Sequence, residues 1–142
     1  MFNVGDVIII NKSVRFILKV PQREHITPYL KKLHFLPLEF RIRYKLCLMA
    51  FKVFSELAPG YLTQHFERYQ PSSDVNLRQV GRDSHMFVTT LQDYKKDNIF
   101  SGIKLEWNSL PLEIRTIQSL SVFKRNLKTE MFKNAFGLVT DI

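Results

Sequence analysis

Basic residues on two predicted helices are the side chains whose type and spacing suit one kind of chemistry, the binding of phosphate groups. Residues 38–57 contain no Gly or Pro before Ala58-Pro59-Gly60, which predicts one long helix. At roughly 100° per residue, Arg41, Lys45 and Lys52 fall within a stripe about 40° wide, with Arg43 nearby. Phosphate binding needs only positive charge at matching spacing. The stripe is therefore either a backbone-binding surface or a solvated helix face.

A second basic group lies on the last predicted helix. Residues 120–134 hold Lys124, Arg125, Lys128 and Lys133 against Glu130, an excess of three positive charges. Lysines along an exposed helix edge commonly serve solubility and cover apolar surface with their stems, and that interpretation is favoured here. Lys124, Arg125 and Lys128 stay as further candidates for nucleic-acid binding.

The net charge of +8 is unevenly placed along the 142 residues. Residues 12–52 contain ten basic residues against Glu24 and Glu39, so this stretch alone carries +8 and the rest sums to zero. The 45% hydrophobic and 13% aromatic content argues against disorder and predicts one folded domain. Two basic elements thus flank a roughly neutral middle.

Side chains for metal, cofactor or nucleophilic chemistry are present but not in the patterns that such sites use. The four histidines and Cys47 lack the i, i+4 or Cys-x-x-Cys spacing of zinc sites. His25 and His34 are predicted as structural residues at a turn and at a helix end. No Gly-x-Ser-x-Gly elbow or phosphate-cradling glycine loop is present. We therefore expect no catalytic residue, no cofactor and no metal.

Cysteine content and hydropathy bear on the compartment. A lone Cys47 forms no internal disulfide and fits a reducing environment. The longest apolar runs, residues 7–10 and 46–51, are far too short to span a membrane, and no signal peptide is recognisable at the N-terminus. We expect a soluble, intracellular protein, nuclear or cytoplasmic, without a membrane partner.

The elements that position the basic residues are predicted to be mainly α, forming a small helical domain with an irregular, partly extended middle region. The β-branched residues 7–10 are compatible with a short strand. Residues 13–20 are compatible with a helix ending before Pro21. Thr27 as N-cap and Pro28 at the first helical position predict a helix to about residue 35. A short helix is expected over 61–69.

The second half of the chain is predicted as a linker followed by helices. Residues 71–98 are polar and irregular, with only 86–91 resembling a strand, which suggests a mobile stretch. Trp107 to Pro111 is interpreted as a core anchor, a polar helix end and a new helix start. The last helix is expected from Ser119 or Ser121 to Phe136. Its apolar seam consists of Leu120, Phe123, Leu127 and Met131.

Several motifs, in order, resemble the region that follows the polymerase domain in reverse transcriptases of LINE-type (non-LTR) retrotransposons. They are HITP at 25–28, LHFLPLEFRI at 33–42, LAPGYL at 57–62, FS at 100–101, WNSLP at 107–111 and SLSVFKRNLK at 119–128. The similarity covers residues 13–136, with a flexible stretch at 71–98. It leaves residues 1–12 unmatched and 137–142 as a tail. The family more often has Trp where Phe35 stands.

The resemblance implies an origin in a multidomain enzyme that copies RNA into DNA, with this segment packed beside the polymerase thumb. Polymerase chemistry needs clustered carboxylates that hold two metal ions about 4 Å apart. The sequence has no Asp-Asp pair, so the segment is expected to be non-catalytic. The expected partners are RNA or an RNA–DNA hybrid, bound nonspecifically through phosphates, and a polymerase domain missing from this chain. The alternative is a structural or interaction module, or an inactive remnant, that packed against that domain.

Overall fold

Seven helices are found in residues 4–70, 84–95 and 98–137, the parts of the chain that this computed structural model describes. They are α1 (Val4–Leu18), α2 (Thr27–Lys32), α3 (Leu38–Phe54), α4 (Gly60–Thr63), α5 (Ile99–Ser109), α6 (Leu112–Arg115) and α7 (Leu120–Phe136). The mainly α fold class predicted from the sequence is confirmed.

Helix α1 replaces the short strand predicted over residues 7–10, and that prediction was wrong. The helix runs unbroken from Val4 to Leu18 and absorbs the helix expected at 13–20. The negative charge of Asp6 in the first turn interacts favourably with the positive end of the helix dipole. The Ser13 hydroxyl donates to the carbonyl of Ile9 at 2.9 Å, within the helix. The β-propensity of residues 7–10 is only a weak preference. Burial of Val14 on one face of the helix outweighs it and favours the helical conformation.

Helices α1, α2 and α3 end in the same way, with a non-glycine residue in the left-handed region. The residues are Lys19, His34 and Glu56, with φ of 53°, 52° and 60°. After each, the next backbone N–H reaches back over the last turn, as Val20 N–H does to the carbonyl of Arg15 at 3.0 Å. This bond pattern satisfies carbonyls that a helix end leaves without partners. The end of α1 before Pro21 agrees with the prediction.

The bounds of α2, α3 and α4 differ in detail from the sequence prediction. Ile26, not Thr27, occupies the N-cap of α2 and makes no side-chain cap, while Thr27 is the first helical residue. Helix α3 ends at Phe54, three residues before the predicted end at 57. Helix α4 stops at Thr63 rather than Tyr69, because residues 67–69 are extended and pair with residues 86–88.

The predicted strand over 86–91 is replaced by one isolated antiparallel bridge, between Arg68 and Phe87. The backbone N–H of Tyr69 donates to Met86 and that of Val88 donates to Glu67, both at 2.8 Å. On its other side, Phe87 is held by the Asn108 side chain rather than by a third strand. The Phe87 N–H donates to Asn108 Oδ1, and Asn108 Nδ2 donates to the Phe87 carbonyl, both at 2.9 Å.

Residues 107–111 perform the structural roles predicted for them. Trp107 is buried, and its Nε1 donates to the carbonyl of His85 at 2.7 Å. Helix α5 ends at Ser109, and Pro111 is the N-cap of α6. Trp107 and Asn108 together tie residues 85–87 to α5, so this motif serves as a core anchor and a backbone clamp.

The chain divides into two compact units, residues 1–44 with 128–142 and residues 45–127. The described part of the first unit contains α1, α2, the start of α3 and the end of α7. In the second unit, the Phe51 and Phe123 rings stack at 4.4 Å, and Phe54 stacks on Trp107 at 5.5 Å. Aromatic packing therefore joins α3, α5 and α7 inside the second unit.

Helix α7 begins and ends close to the prediction. It starts at Leu120 and ends at Phe136, followed by Gly137 with a φ of 61°. Of its predicted seam, Phe123, Leu127 and Met131 are buried, and Leu120 is half-buried. The predicted mobile stretch at 71–98 lies outside the described residues except for 84–95 and 98, and residues 138–142 of the predicted tail also lie outside them.

Candidate nucleic-acid interface

A surface of cations and aromatic rings lies in the first unit and contains two of the predicted site residues. We call it the basic aromatic surface and define it as His34, Phe35, Arg41, Lys128 and Phe132. The Arg41 guanidinium carbon lies 5.7 Å from the centre of the Phe35 ring, and Lys128 Nζ lies 5.9 Å from the centre of the Phe132 ring. The His34 ring is tilted against the same Phe132 ring at 6.1 Å. His34, Arg41 and Lys128 are all exposed.

The left-handed end of α2 positions this surface. His34 takes a φ of 52°, and the Phe35 N–H donates to the carbonyl of Leu30 at 2.9 Å. The chain therefore turns away from the helix axis at His34 and Phe35 instead of extending α2. Helix α3 starts three residues later at Leu38, which places Arg41 in its first turn. The ring of Phe35 remains 42% exposed beside the Arg41 side chain.

Arg43 does not belong to this surface. Two residues along an α-helix turn the side chain by about 200°, so Arg43 faces away from Arg41. Its guanidinium lies over the ring of Phe40 at 5.4 Å, and the side chain is half-buried. Among the predicted residues, Arg43 has the contacts of a packing residue.

The other predicted cations belong to the second unit, where Lys45, Lys52, Lys124 and Arg125 are all exposed. Lys45 and Lys52 are separated by seven residues of α3 and share one face of that helix. Lys52 and Lys124 each follow one member of the stacked Phe51 and Phe123 pair. The second unit therefore presents cations on two helices that are in contact with each other.

Sequence reasoning missed the aromatic members of the basic aromatic surface, which are Phe35 and Phe132. It assigned His34 to a helix end, and the structure places it there. The signal for Phe132 was available in its spacing, because Lys128 and Phe132 are four residues apart on α7 and such pairs meet on a helix surface. The proximity of His34 to Phe132 had no local signal, since these residues are far apart in sequence.

Carboxylates do not form a metal-binding cluster in the part of the chain that the structure describes. No group of three His, Cys, Asp or Glu side chains comes together there. Asp74, Asp83 and Asp97, which the sequence places singly, lie outside that part. Asp93 lies within it and accepts hydrogen bonds from the Thr90 N–H at 2.8 Å and from the Ser101 hydroxyl at 2.9 Å.

Hydrogen bonds and an ion pair hold Asp93 in place within the second unit. The hydrogen bond from the Thr90 N–H makes the largest contribution and lowers the pKa of Asp93. The Ser101 and Thr90 hydroxyls and the Lys104 charge lower this pKa further, and desolvation raises it. Lys104 Nζ lies 3.5 Å from Asp93 Oδ1. Ser101 is buried in α5, and its own N–H donates to the N-cap Asn98. These contacts join the turn at 90–93 to the start of α5.

Comparison of the chain with protein-family models, with curated proteins and with solved structures gives no match. None of the helices in the described ranges has both the length and the apolar content needed to cross a bilayer. The class defined by fold and surface is thus a basic, mainly helical protein with cations packed against aromatic rings.

Proposed function

We propose that this chain is the non-catalytic, helical C-terminal part of a LINE-type reverse transcriptase. In this role it binds the backbone of RNA or of an RNA–DNA hybrid without sequence preference. The observation that carries the proposal is the basic aromatic surface, where the exposed cations Arg41 and Lys128 lie over aromatic rings. The ordered motifs that resemble that family support the same origin.

Ring contacts prepare these cations for phosphate binding. A long basic side chain loses rotamer entropy when it binds a phosphate. A side chain that already rests on a ring loses less of this entropy. The planar Arg41 guanidinium suits bidentate contact with phosphate oxygens. The exposed ring of Phe35 beside it offers a face on which an unpaired base stacks.

Charge favours the first unit over the second as the main contact. Its described residues, 4–44 and 128–137, include ten basic and four acidic side chains and so carry +6. The described residues of the second unit include eight basic and five acidic side chains and carry +3. A polyanion is attracted most strongly by the larger excess of positive charge.

The test is charge reversal within the basic aromatic surface. The double variant R41E/K128E is compared with R23E/K95E, which reverses two exposed cations outside that surface. Affinities for a single-stranded RNA and for an RNA–DNA hybrid are measured by fluorescence anisotropy, with helicity followed by circular dichroism. R41E/K128E should weaken binding by roughly tenfold or more at moderate salt, while R23E/K95E changes it much less.

Three other outcomes lead to different conclusions. If the unmodified chain binds neither nucleic acid, the proposal fails and the structural or interaction module remains. If both double variants weaken binding equally, the chain binds by net charge and has no defined surface. If K45E/K52E, which reverses the same number of charges, weakens binding more than R41E/K128E, the second unit holds the contact surface.

A further inference from the structure

The strongest unexplained surface is an exposed apolar row on α1, in the first unit. Ile9, Phe16 and Ile17 are 63%, 87% and 64% exposed, although they are large apolar side chains. Ile9 and Phe16 are seven residues apart and lie within about 20° of each other around the helix. Ile17 follows Phe16 and lies about 100° further around the helix, so the three side chains spread over one side of α1. Exposed apolar patches on a helix mark interaction sites. We call Ile9, Phe16 and Ile17 the α1 apolar row.

The row opens into a groove at the C-terminal end of α1. The groove is open to solvent, has a volume of about 630 Å³, and is lined by residues that include Phe16, Ile17 and Val20 together with Lys12 and Lys19. Arg15 also lines the groove, and its guanidinium donates to the carbonyl of Glu24 at 2.7 Å and to that of Pro21. These bonds hold the turn at 21–24 against the helix. The groove is therefore a built feature of the first unit.

Charges around the row are asymmetric. Around the helix, Lys12 and Lys19 lie about 40° and 60° to one side of Phe16, and both are exposed. On the other side, about 60° and 80° from Phe16, lie Ser13 and Asp6. A matching partner therefore needs apolar side chains with carboxylates along one edge only.

This arrangement distinguishes between possible occupants. A second copy of the chain is disfavoured, because the described part of the first unit carries +6 and two copies repel each other. An anionic bilayer is disfavoured because helices that lie in a membrane surface usually carry lysine and arginine across the whole polar face. An acidic amphipathic helix fits both the apolar row and the single basic edge.

We propose that the α1 apolar row and its groove form a docking site for an acidic amphipathic helix of another protein. Apolar side chains of that helix cover Phe16 and Ile9 and enter the groove, and its carboxylates pair with Lys12 and Lys19. The seven residues from Ile9 to Phe16 span about 10 Å, or two helical turns, so a docked helix that also reaches the groove needs roughly three turns. The site shares no residue with the basic aromatic surface, so its test is separate from the test of nucleic-acid binding.

The test begins with a displayed library of helical peptides about three turns long, selected against the full chain. Selected peptides should combine apolar residues at helical spacing with Asp or Glu along one edge. The affinities of the selected peptides for the F16E variant and for the L91E variant are then measured. Leu91 is 81% exposed and lies outside the first unit, so L91E is a matched control for adding charge at an exposed apolar residue.

We expect F16E to weaken peptide binding by roughly tenfold or more, because it replaces a large apolar contact with a repelling carboxylate. The double variant K12E/K19E should bind acidic peptides more weakly and basic peptides more strongly than the unmodified chain does. L91E should have no effect on binding. Circular dichroism checks that F16E leaves the helices intact, which its high exposure predicts.

Each other result overturns the docking proposal. No enrichment, or enrichment without acidic residues, contradicts the assigned partner chemistry. Equal binding to F16E and to the unmodified chain places the peptides elsewhere. Sedimentation velocity that shows an F16E-sensitive dimer assigns the row to a second copy. Binding of phosphatidylcholine vesicles containing one quarter phosphatidylserine, lost in F16E, assigns it to a bilayer.

Discussion

At the residue scale, Asn108 shows how one side chain replaces a missing strand. Its amide group pairs with both backbone groups of Phe87 at 2.9 Å. Phe87 itself is buried and packs against Phe54 and Phe66 at 5.5 Å and 5.1 Å. The clamp therefore satisfies backbone polar groups that would otherwise lack partners next to an aromatic core.

We expect Asn108→Ala to lower the free energy of unfolding by about 1–3 kcal/mol, because the Phe87 N–H and carbonyl lose their partners at a half-buried position. Urea denaturation measures the change. The control is Ser109→Ala, which removes only an exposed hydroxyl that donates to the Glu106 carbonyl at 2.7 Å. Equal stability of the two variants would show that water replaces the clamp without cost.

Asp93 adds a pH dependence to the stability of the second unit. Its pKa is lowered from the ordinary value of 3.8, mainly by the Thr90 N–H bond, so the folded state holds the ionised form more strongly than the unfolded state does. The stabilisation is complete above the unfolded pKa and disappears as the pH falls through the lowered folded pKa. Asp93→Asn should therefore destabilise the protein at pH 7.

The pH profile separates this effect from a general loss of packing. The stability difference between the unmodified chain and Asp93→Asn should shrink as the pH falls below about 4, because the unfolded state is protonated first and the folded state follows at its lower pKa. Urea denaturation from neutral to acidic pH measures it. A difference that is independent of pH would mean that the ionised form of Asp93 is not what stabilises the turn at 90–93.

At the element scale, the shared helix ends carry backbone strain. Lys19 has a φ of 53°, a conformation that costs a side-chain-bearing residue roughly 1–2 kcal/mol. Glycine adopts it without that cost, although it also gains entropy in the unfolded state. Lys19, His34 and Glu56 occupy the positions where helices commonly have glycine.

Lys19→Gly should raise the free energy of unfolding by up to about 1 kcal/mol, because it relieves the left-handed strain at the end of α1. Lys12→Gly is the matched comparison: it changes an exposed lysine inside the same helix and should cost about 1 kcal/mol. Thermal unfolding measures both. Changes of the same sign in the two variants would contradict the assigned helix end.

At the scale of the whole molecule, the distribution of charge matters more than the total. Of the net +8, the described residues of the first unit supply +6 and those of the second +3, and residues outside the described ranges supply the difference. The cations predicted from the sequence lie in both units. Which of them contact a nucleic acid at the same time sets the number of phosphates bound.

The salt dependence of nucleic-acid binding gives the number of phosphates that the protein contacts. On a single strand, the logarithm of the association constant falls by about 0.7 per decade of salt for each phosphate contacted. Contacts by all seven predicted cations would give a slope of about −5, and contacts by Arg41 and Lys128 alone about −1.4. We expect a slope between these limits, smaller by about 1.4 in R41E/K128E. Binding that does not depend on salt would refute the phosphate mechanism.

Much of the fold was readable from the sequence because its signals are local. The absence of Gly and Pro over 38–54 predicted α3, and the apolar spacing of Phe123, Leu127 and Met131 predicted α7. Trp107 to Pro111 combined a large apolar residue with a proline break, and both roles hold in the structure. The strands predicted over residues 7–10 and 86–91 were wrong, because β-branched and aromatic runs do not show whether a partner strand exists.

Sequence alone determined the charge, the helical periodicity and the list of candidate cations, since these depend on residue type and on spacing within a few turns. Only the tertiary structure decided that these ring contacts form one surface, because His34 and Phe132 approach each other although they are far apart in sequence. It also decided that Ile9 and Phe16 are exposed. Exposure depends on which helix face finds a partner, and no local pattern specifies that partner.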